Sequence, residues 1–457
     1  MPLYIDSRGC CGASDVIVYM NILGVYNLAT IKEFRGLRYN KNMQEELKLL
    51  ICPPYDIISD NEALHYLNKS EYNIIRLELP KGKDKYYKAN KLLSEWINEE
   101  ILVYDNVPCI YIYEQEFIIN NIKKNLKGLI CLVKLEDFSS GVIIPHENTI
   151  SKAKEDRLEL LKSTQCNFSS VYSLYDDENN YIQNYIDLYS SNLREVEVMD
   201  DQGVTHRLWK ICEISVLEKI KNAFNDKKLY IADGHHRYET ALRYNKIYNK
   251  NYNYVMMYLV DMKNKNIEVL PTHRLIKNIA NFDFNDVLKK LCKFFDIAKF
   301  DGINIANLVL NKNTNHKRMP GFIIYGGGNK CFLATLKVDK YNSIIKENGC
   351  KMSNVGSTDL INVNLINIDT YILEIFVFKG IFRITENDID NGNYLLYTKD
   401  INILKHIVDK KDAQAGFIVR TITPKEICMV AELKQKLPRK SSYFYPKPIT
   451  GLIINNL

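Results

Sequence analysis

Three absences narrow the class of this chain before any motif is considered. Its eleven cysteines include no Cys-x-x-Cys pair, so neither a zinc ribbon nor a thioredoxin-like redox centre is indicated. An odd number without paired spacing also argues against a disulfide framework and for a reducing compartment. Most cysteines, such as the one in Gly128-Leu-Ile-Cys-Leu-Val133, read as buried thiols. Long apolar runs are missing as well. The longest, Val16 to Ile31, is broken by Asn21 and Asn27 and has no basic front end, which excludes a membrane span and leads us to expect a cytoplasmic protein. Arginine is scarce, at fourteen residues in a chain rich in lysine, so it is expected to persist where a planar fork of donors is needed. Arg35, Arg38, Arg157, Arg237, Arg274 and Arg439 stand in such polar, turn-like contexts, some of them as structural ion pairs.

What is present is enough apolar material for a large core. With 457 residues, 46% hydrophobic, and a net charge of +6 from 61 basic and 55 acidic residues, the chain reads as folded with a balanced, solvated surface. No repeat or low-complexity tract interrupts it, and no helix-turn-helix or basic reading surface points to nucleic acid. We expect a mixed α/β fold, multi-layered with mixed sheets. Residues 1–28 read as an extension of uncertain structure and 29–457 as a single domain, with lobes at 29–200 and 201–457.

The most informative stretch is Leu229-Tyr-Ile-Ala-Asp233-Gly234-His235-His236-Arg237. An apolar strand enters Asp-Gly turn chemistry, and Tyr238, Ala241 and Leu242 then recur at helical spacing. A helix starting near His235 would present unpaired N–H groups and a partial positive charge to an anion. Gly234 allows close approach, His235 and His236 add donors, and Arg237 supplies a fork suited to phosphate. Asp233 would face a metal ion. Upstream, Pro145-His146-Glu147 opens a charged loop running to Arg157 ahead of a helix. His146 and Glu147 have acid–base chemistry, while Lys152, Lys154 and Arg157 could meet phosphate. Ile51-Cys-Pro-Pro-Tyr55-Asp56 marks a sharp turn whose Tyr55 and Asp56 would contact a substrate.

Further strands are expected at Pro108–Phe117 and Lys127–Glu136, as a hairpin, and at Tyr254–Val260 and Ile267–Leu270, as another. The second hairpin would carry His273 and Arg274 towards the anion turn. Gly321 to Ala334 reads as a hairpin turned by three glycines, and Asp359 to Phe376 as a helix with one apolar face. Lys436 to Lys447 mixes basic and aromatic residues, a pattern that ties a terminus onto the body more often than it stacks a base.

Taken in order, Phe34-Arg-Gly-Leu-Arg38, Pro53-Pro-Tyr-Asp56, His146-Glu147, Lys154-Glu-Asp-Arg157, Asp233-Gly-His-His-Arg237, Pro271-Thr-His-Arg274 and Tyr443-Phe-Tyr-Pro446 resemble the bacterial family known as domain of unknown function 1015, loosely ParB-like. The resemblance covers nearly everything after the first thirty residues. More distantly, the Asp-Gly-His-His-Arg turn is similar to the nucleotide-binding turn of the ParB, sulfiredoxin and free-serine-kinase superfamily. His235 stands where sulfiredoxins carry their reactive cysteine, so sulfinic-acid reduction is not implied. Phosphate cradling by Gly234, His236 and Arg237 is. The resemblance implies ATP or ADP with magnesium and phosphoryl transfer to a small hydroxylated metabolite such as serine. A nucleotide-binding regulatory or DNA-associated protein and a non-catalytic metabolite-binding protein stay open beside it.

Overall fold

The computed structural model describes residues 28–147, 151–248, 253–312, 319–347 and 361–457. The N-terminal extension up to residue 27 and the first part of the helix expected from Asp359 lie outside them. So does the side chain of Lys152.

Strand periodicity builds the core. Leu129, Cys131 and Val133 of the strand Ile122–Lys134 join one apolar cluster, whereas Ile130 and Leu132 join another. Successive side chains of a strand point to opposite faces, so a continuous apolar run serves two layers at once. The same division separates Val255, Met257 and Leu259 from Met256, Tyr258 and Val260 in the strand Tyr254–Asp261. A strand buried on both faces is central, and these two are neighbours in a nine-stranded mixed sheet. Beyond Tyr254–Asp261 the sheet continues through Val171–Tyr175 and Leu229–Asp233 to Ile143–Ile144. On the other side it continues through Ile110–Ile119 and Thr205–Ile211 to Val196–Met199.

A second, six-stranded sheet is formed by later residues and is antiparallel throughout. Its edge strand, Leu395–Thr398, pairs with His273–Ile276. The architecture is mixed α/β, with helices packed on both sheets. The lobe boundary expected at residue 200 falls inside the first sheet, where Glu197 pairs with Arg207 across it; the passage between sheets comes after Asp261.

The first expected hairpin is present, turning at Asn120 and Asn121 with φ of 50° and 61°, the left-handed pair that a two-residue hairpin turn requires. The second is not. Tyr254–Asp261 already has both edges taken, by Ile122–Lys134 and Val171–Tyr175, so Glu268–Leu270 pairs instead with Tyr443–Tyr445 near the end of the chain. The glycine-turned hairpin is formed by Gly321–Tyr325 and Cys331–Leu336. The helix expected to reach Phe376 appears as Asp369–Leu373 running into a π-helix, Glu374–Ile381.

The cysteine expectation needs one correction. Cys109 and Cys212 are disulfide-bonded, with Cα atoms 4.5 Å apart. They flank the antiparallel pair Ile110↔Ile211, which brings together two residues 103 positions apart. Cys131 is a free, buried thiol as expected. Among the described residues no helix is long and apolar enough to cross a membrane.

Candidate functional site

Two parallel strands place the chemistry. Ile143–Ile144 runs parallel to Leu229–Asp233, so the chain leaves both at the same end, into Pro145-His146-Glu147 and into Gly234. Carboxyl ends of strands in open α/β sheets are where ligands bind. The strand order thus brings together segments 89 residues apart, and the backbone N–H of His146 donates to His235 Nε2 at 3.3 Å.

Gly234 has φ 89° and precedes the helix His235–Ile247, which no side chain caps. A Cβ at Gly234 would lie 2.9 Å from Arg237 Nε in a conformation that side chains disfavour, so the turn requires glycine. An uncapped helix start directs backbone N–H groups at whatever lies in front of it. In front is a cavity of about 240 Å³. Asp233 to Arg237 form one wall, and Tyr55 and Asp56 of the expected turn form another. Glu147, Thr272, Tyr397 to Lys399 and four residues of the C-terminal segment, Lys440, Ser442, Tyr443 and Lys447, complete it. A larger cavity of about 1000 Å³ elsewhere is lined by Asp176, Asp177, Glu178, Asp226 and Glu432 against three lysines, a lining that disfavours an anion.

Asp233 is the electrostatic centre. Its Oδ1 lies 2.7 Å from Lys447 Nζ, and its Oδ2 accepts from Arg237 Nη2 at 2.7 Å. Burial alone would raise its pKa, but Lys447 and then Arg237 outweigh burial and hold the carboxyl well below the usual range. Lys447 also pairs with Asp56, and Arg237 also donates to Ser170 O. With both Asp233 oxygens on cations, the aspartate does not fit the metal-facing role expected of it. Among the described residues no group of three His, Cys, Asp or Glu side chains could hold a metal ion.

Burial disfavours the charged form of the site's histidines. His146 is buried, its Nδ1 2.8 Å from Ile231 O and its Nε2 2.9 Å from Ser442 Oγ. A carbonyl only accepts, so Nδ1 carries the proton and Nε2 accepts from the serine hydroxyl. Burial, above all, lowers its pKa to about 4. Burial and then His146 hold His235 well below its ordinary value, and burial also lowers His236. Three charged cavity groups form no ion pair among the described residues: Lys440; Glu147, whose Oε1 accepts from Lys440 N at 3.1 Å; and Lys399, whose ammonium sits 3.6 Å from the Tyr443 ring centroid. Its pKa is lowered by desolvation and then by Lys447 and Lys440.

Of the residues expected from sequence, Tyr55, Asp56, Glu147, Asp233, Gly234, His235, His236 and Arg237 line the cavity. His146 stands one layer behind it. Lys154 is turned to Glu239 at 2.8 Å, away from any phosphate in the cavity, and Arg243 of the same helix pairs with Glu155. Arg157 lies beneath Tyr55, 4.2 Å from its ring centroid, against Asp156 and the buried Glu78. Burial pushes the Tyr55 hydroxyl up to about 12. His273 is buried, its Nδ1 accepting from Val419 N at 3.4 Å, and Arg274 lines a neighbouring cavity. Sequence reading missed Lys399, Lys440, Ser442 and Lys447. Lys447 directly follows the Tyr-Phe-Tyr-Pro segment, which was the available signal. Nothing marked Lys399 among so many lysines.

No curated protein matches the chain. Among solved structures it is similar to a free serine kinase in complex with AMP, at 11% identity and a TM-score of 0.35 over 69% of this chain and 88% of that one. It is also similar to a conserved hypothetical protein from Pyrococcus furiosus, at 11% and 0.33 over 69% and 91%. A third is SbnI with a C-terminal truncation from Staphylococcus aureus, at 8% and 0.33 over 71% and 86%. Likenesses of this size do not identify an activity. The family model described as protein of unknown function (DUF1015) matches residues 31–357, and the chain belongs to that family.

Proposed function

We propose that the cavity binds the phosphate groups of an adenine nucleotide and supports transfer of a phosphoryl group to a small hydroxylated metabolite. The observation that carries this reading is Lys399, a cation on the cavity wall with no carboxylate partner, beside Lys440 and facing an uncapped helix start. Lys447 and Arg237 are largely committed to Asp233 and Asp56. An incoming phosphate at the helix start therefore gains a charge-assisted hydrogen bond from Lys399 without breaking an ion pair among the described residues. At about 240 Å³ the space lies below the ~300 Å³ of ordinary ligand pockets. It suits phosphates and a small acceptor, with the nucleoside lying outside.

In this reading Glu147 accepts the proton of the acceptor hydroxyl as that oxygen attacks the terminal phosphorus. The P–O bond to the leaving nucleotide breaks, and the nucleotide departs one phosphate shorter. Positioning and charge stabilisation account for most of the rate in such transfers. No step here goes through a metal ion, since Asp233 is occupied by cations.

Two outcomes test the reading. Lys399→Ala weakens AMP and ADP binding by about tenfold, consistent with loss of one charge-assisted contact of ~1.5 kcal/mol, by titration calorimetry; unchanged affinity removes the anion site. Glu147→Gln retains nucleotide affinity while nucleotide conversion with a responsive hydroxyl acceptor falls by about a hundredfold or more. Binding without turnover on any acceptor leaves the metabolite-binding alternative in its place.

A further inference from the structure

Behind Tyr397, on the side away from the first cavity, lies a second cavity of about 170 Å³ lined by Arg274, Tyr397, Phe378, Ile375, Lys436 and Leu437, among others. Arg274 is the anomaly. Of the three buried arginines among the described residues, Arg38 pairs with Asp105 and Arg157 with Asp156. Arg274, 3% exposed, forms no ion pair among the described residues. Its guanidinium donates only to backbone carbonyls, to Thr272 O, to Arg439 O at 3.2 Å and to Lys440 O at 3.1 Å. Beyond these carbonyls it has the Tyr397 ring, 5.9 Å from centroid to guanidinium carbon; a buried charge with no carboxylate partner is costly, and an entering anion relieves that cost. Lys436, also on the wall, likewise lacks a carboxylate partner and donates to Pro145 O at 3.1 Å.

A second, independent feature is the π-helix Glu374–Ile381, which supplies Ile375 and Phe378 to this wall. π-Helical turns are rare and occur frequently at functional sites. The two carboxylates on the wall, Glu374 and Glu386, are both paired with Lys379, at 3.2 and 3.3 Å, and neither forms an ion pair with Arg274.

We infer that this cavity is a separate ligand site for a small organic carboxylate, with the carboxylate on Arg274 and the apolar body against Ile375, Phe378 and Leu437. The guanidinium N–H groups that these three carbonyls leave over can donate to a carboxylate. The volume confines the ligand to a small acid, well short of the ~300 Å³ of drug-sized pockets. This site does not depend on the nucleotide reading.

The test uses 4-fluorobenzoate as probe, observed by fluorine NMR on the full chain, with 4-fluorobenzyl alcohol as the neutral control. Saturable binding of the acid and none of the alcohol is expected. Arg274→Gln should weaken acid binding at least tenfold. Because Arg274 also holds the Arg439 and Lys440 carbonyls, a second variant avoids it: Ile389→Trp, at the partly buried Ile389 of the same wall, should abolish binding by filling the space while leaving the thermal unfolding midpoint in place. Equal binding of acid and alcohol, or acid binding undiminished in Ile389→Trp, overturns the proposal. Displacement of the probe by inorganic phosphate but not by acetate overturns its carboxylate assignment.

Discussion

On acidification from pH 7 to pH 4 the protein is expected to lose about 6 kcal/mol of folding stability through two buried histidines, apart from any carboxylate. Burial lowers the pKa of both His146 and His273 to about 4 in the folded state, against about 6.5 in an unfolded chain. The unfolded form therefore takes up the proton first. Stability is complete above about pH 6.5 and is lost as pH falls through that window towards 4, by about 3 kcal/mol for each ring. His235, also held well below its ordinary value, adds to the loss in the same direction. Domains have only about 5–15 kcal/mol to lose, so the protein should be at or near unfolding by pH 4. Urea midpoints at pH 7, 5.5 and 4 measure this. His273→Asn should flatten the slope, and a midpoint constant across the window would show that the rings are protonated in the fold. Asp233 acts in a lower range. Its folded pKa is depressed, so its contribution is intact above about 3.9 and lost only as pH falls below that.

Lys447→Met is expected to destabilise the protein by about 3 kcal/mol, the lower end of the cost of removing one partner from a buried ion pair. The Lys447 side chain is 6% exposed and lies between Asp233, 16% exposed, and Asp56, 30% exposed. Asp56 can be rehydrated when the lysine goes. Asp233 cannot to the same degree, and it keeps only Arg237. Its carboxyl pKa should rise in the variant, so the carboxylate part of acid unfolding begins at higher pH. Adding Asp233→Asn should recover part of the loss, because the uncompensated charge disappears with it. Chemical denaturation of the two single variants and the double variant checks this. Additive losses would show that Lys447 stabilises through packing alone.

Much of the site could be read from residue order because its signals are local. Leu229 to Arg237 declare a strand, a turn and a helix start within nine residues, and the structure has each of them. Glu147, Tyr55 and Asp56 were also within reach, since their segments are polar turns beside apolar strands. What stayed hidden depends on which strands pair. Glu268–Leu270 reads as the return strand of a hairpin, yet whether its neighbour has a free edge is decided by Ile122–Lys134 and Val171–Tyr175, far away in sequence. That one pairing recruits Tyr443–Tyr445 and with it Lys447. Likewise Tyr397 and Lys399 reach the cavity only because Leu395–Thr398 lies beside His273–Ile276. The disulfide between Cys109 and Cys212 follows from the register Ile110↔Ile211, which spacing does not reveal. Arg274 was placed in the correct neighbourhood, but which side of Tyr397 it faces is a matter of tertiary packing.

The lysine that closes the Asp233 cluster lies 391 residues after Asp56, so a chain emerging from the ribosome can complete its nine-stranded sheet long before it has the means to finish the pocket. Until then Asp233 faces Arg237 with nothing opposite, and the edge of Glu268–Leu270 is bare. Assembly of the pocket is thereby tied to synthesis of the segment that carries Lys440 to Lys447, whose neighbours Thr450 and Ile454 also bridge back to Cys52 and Leu37.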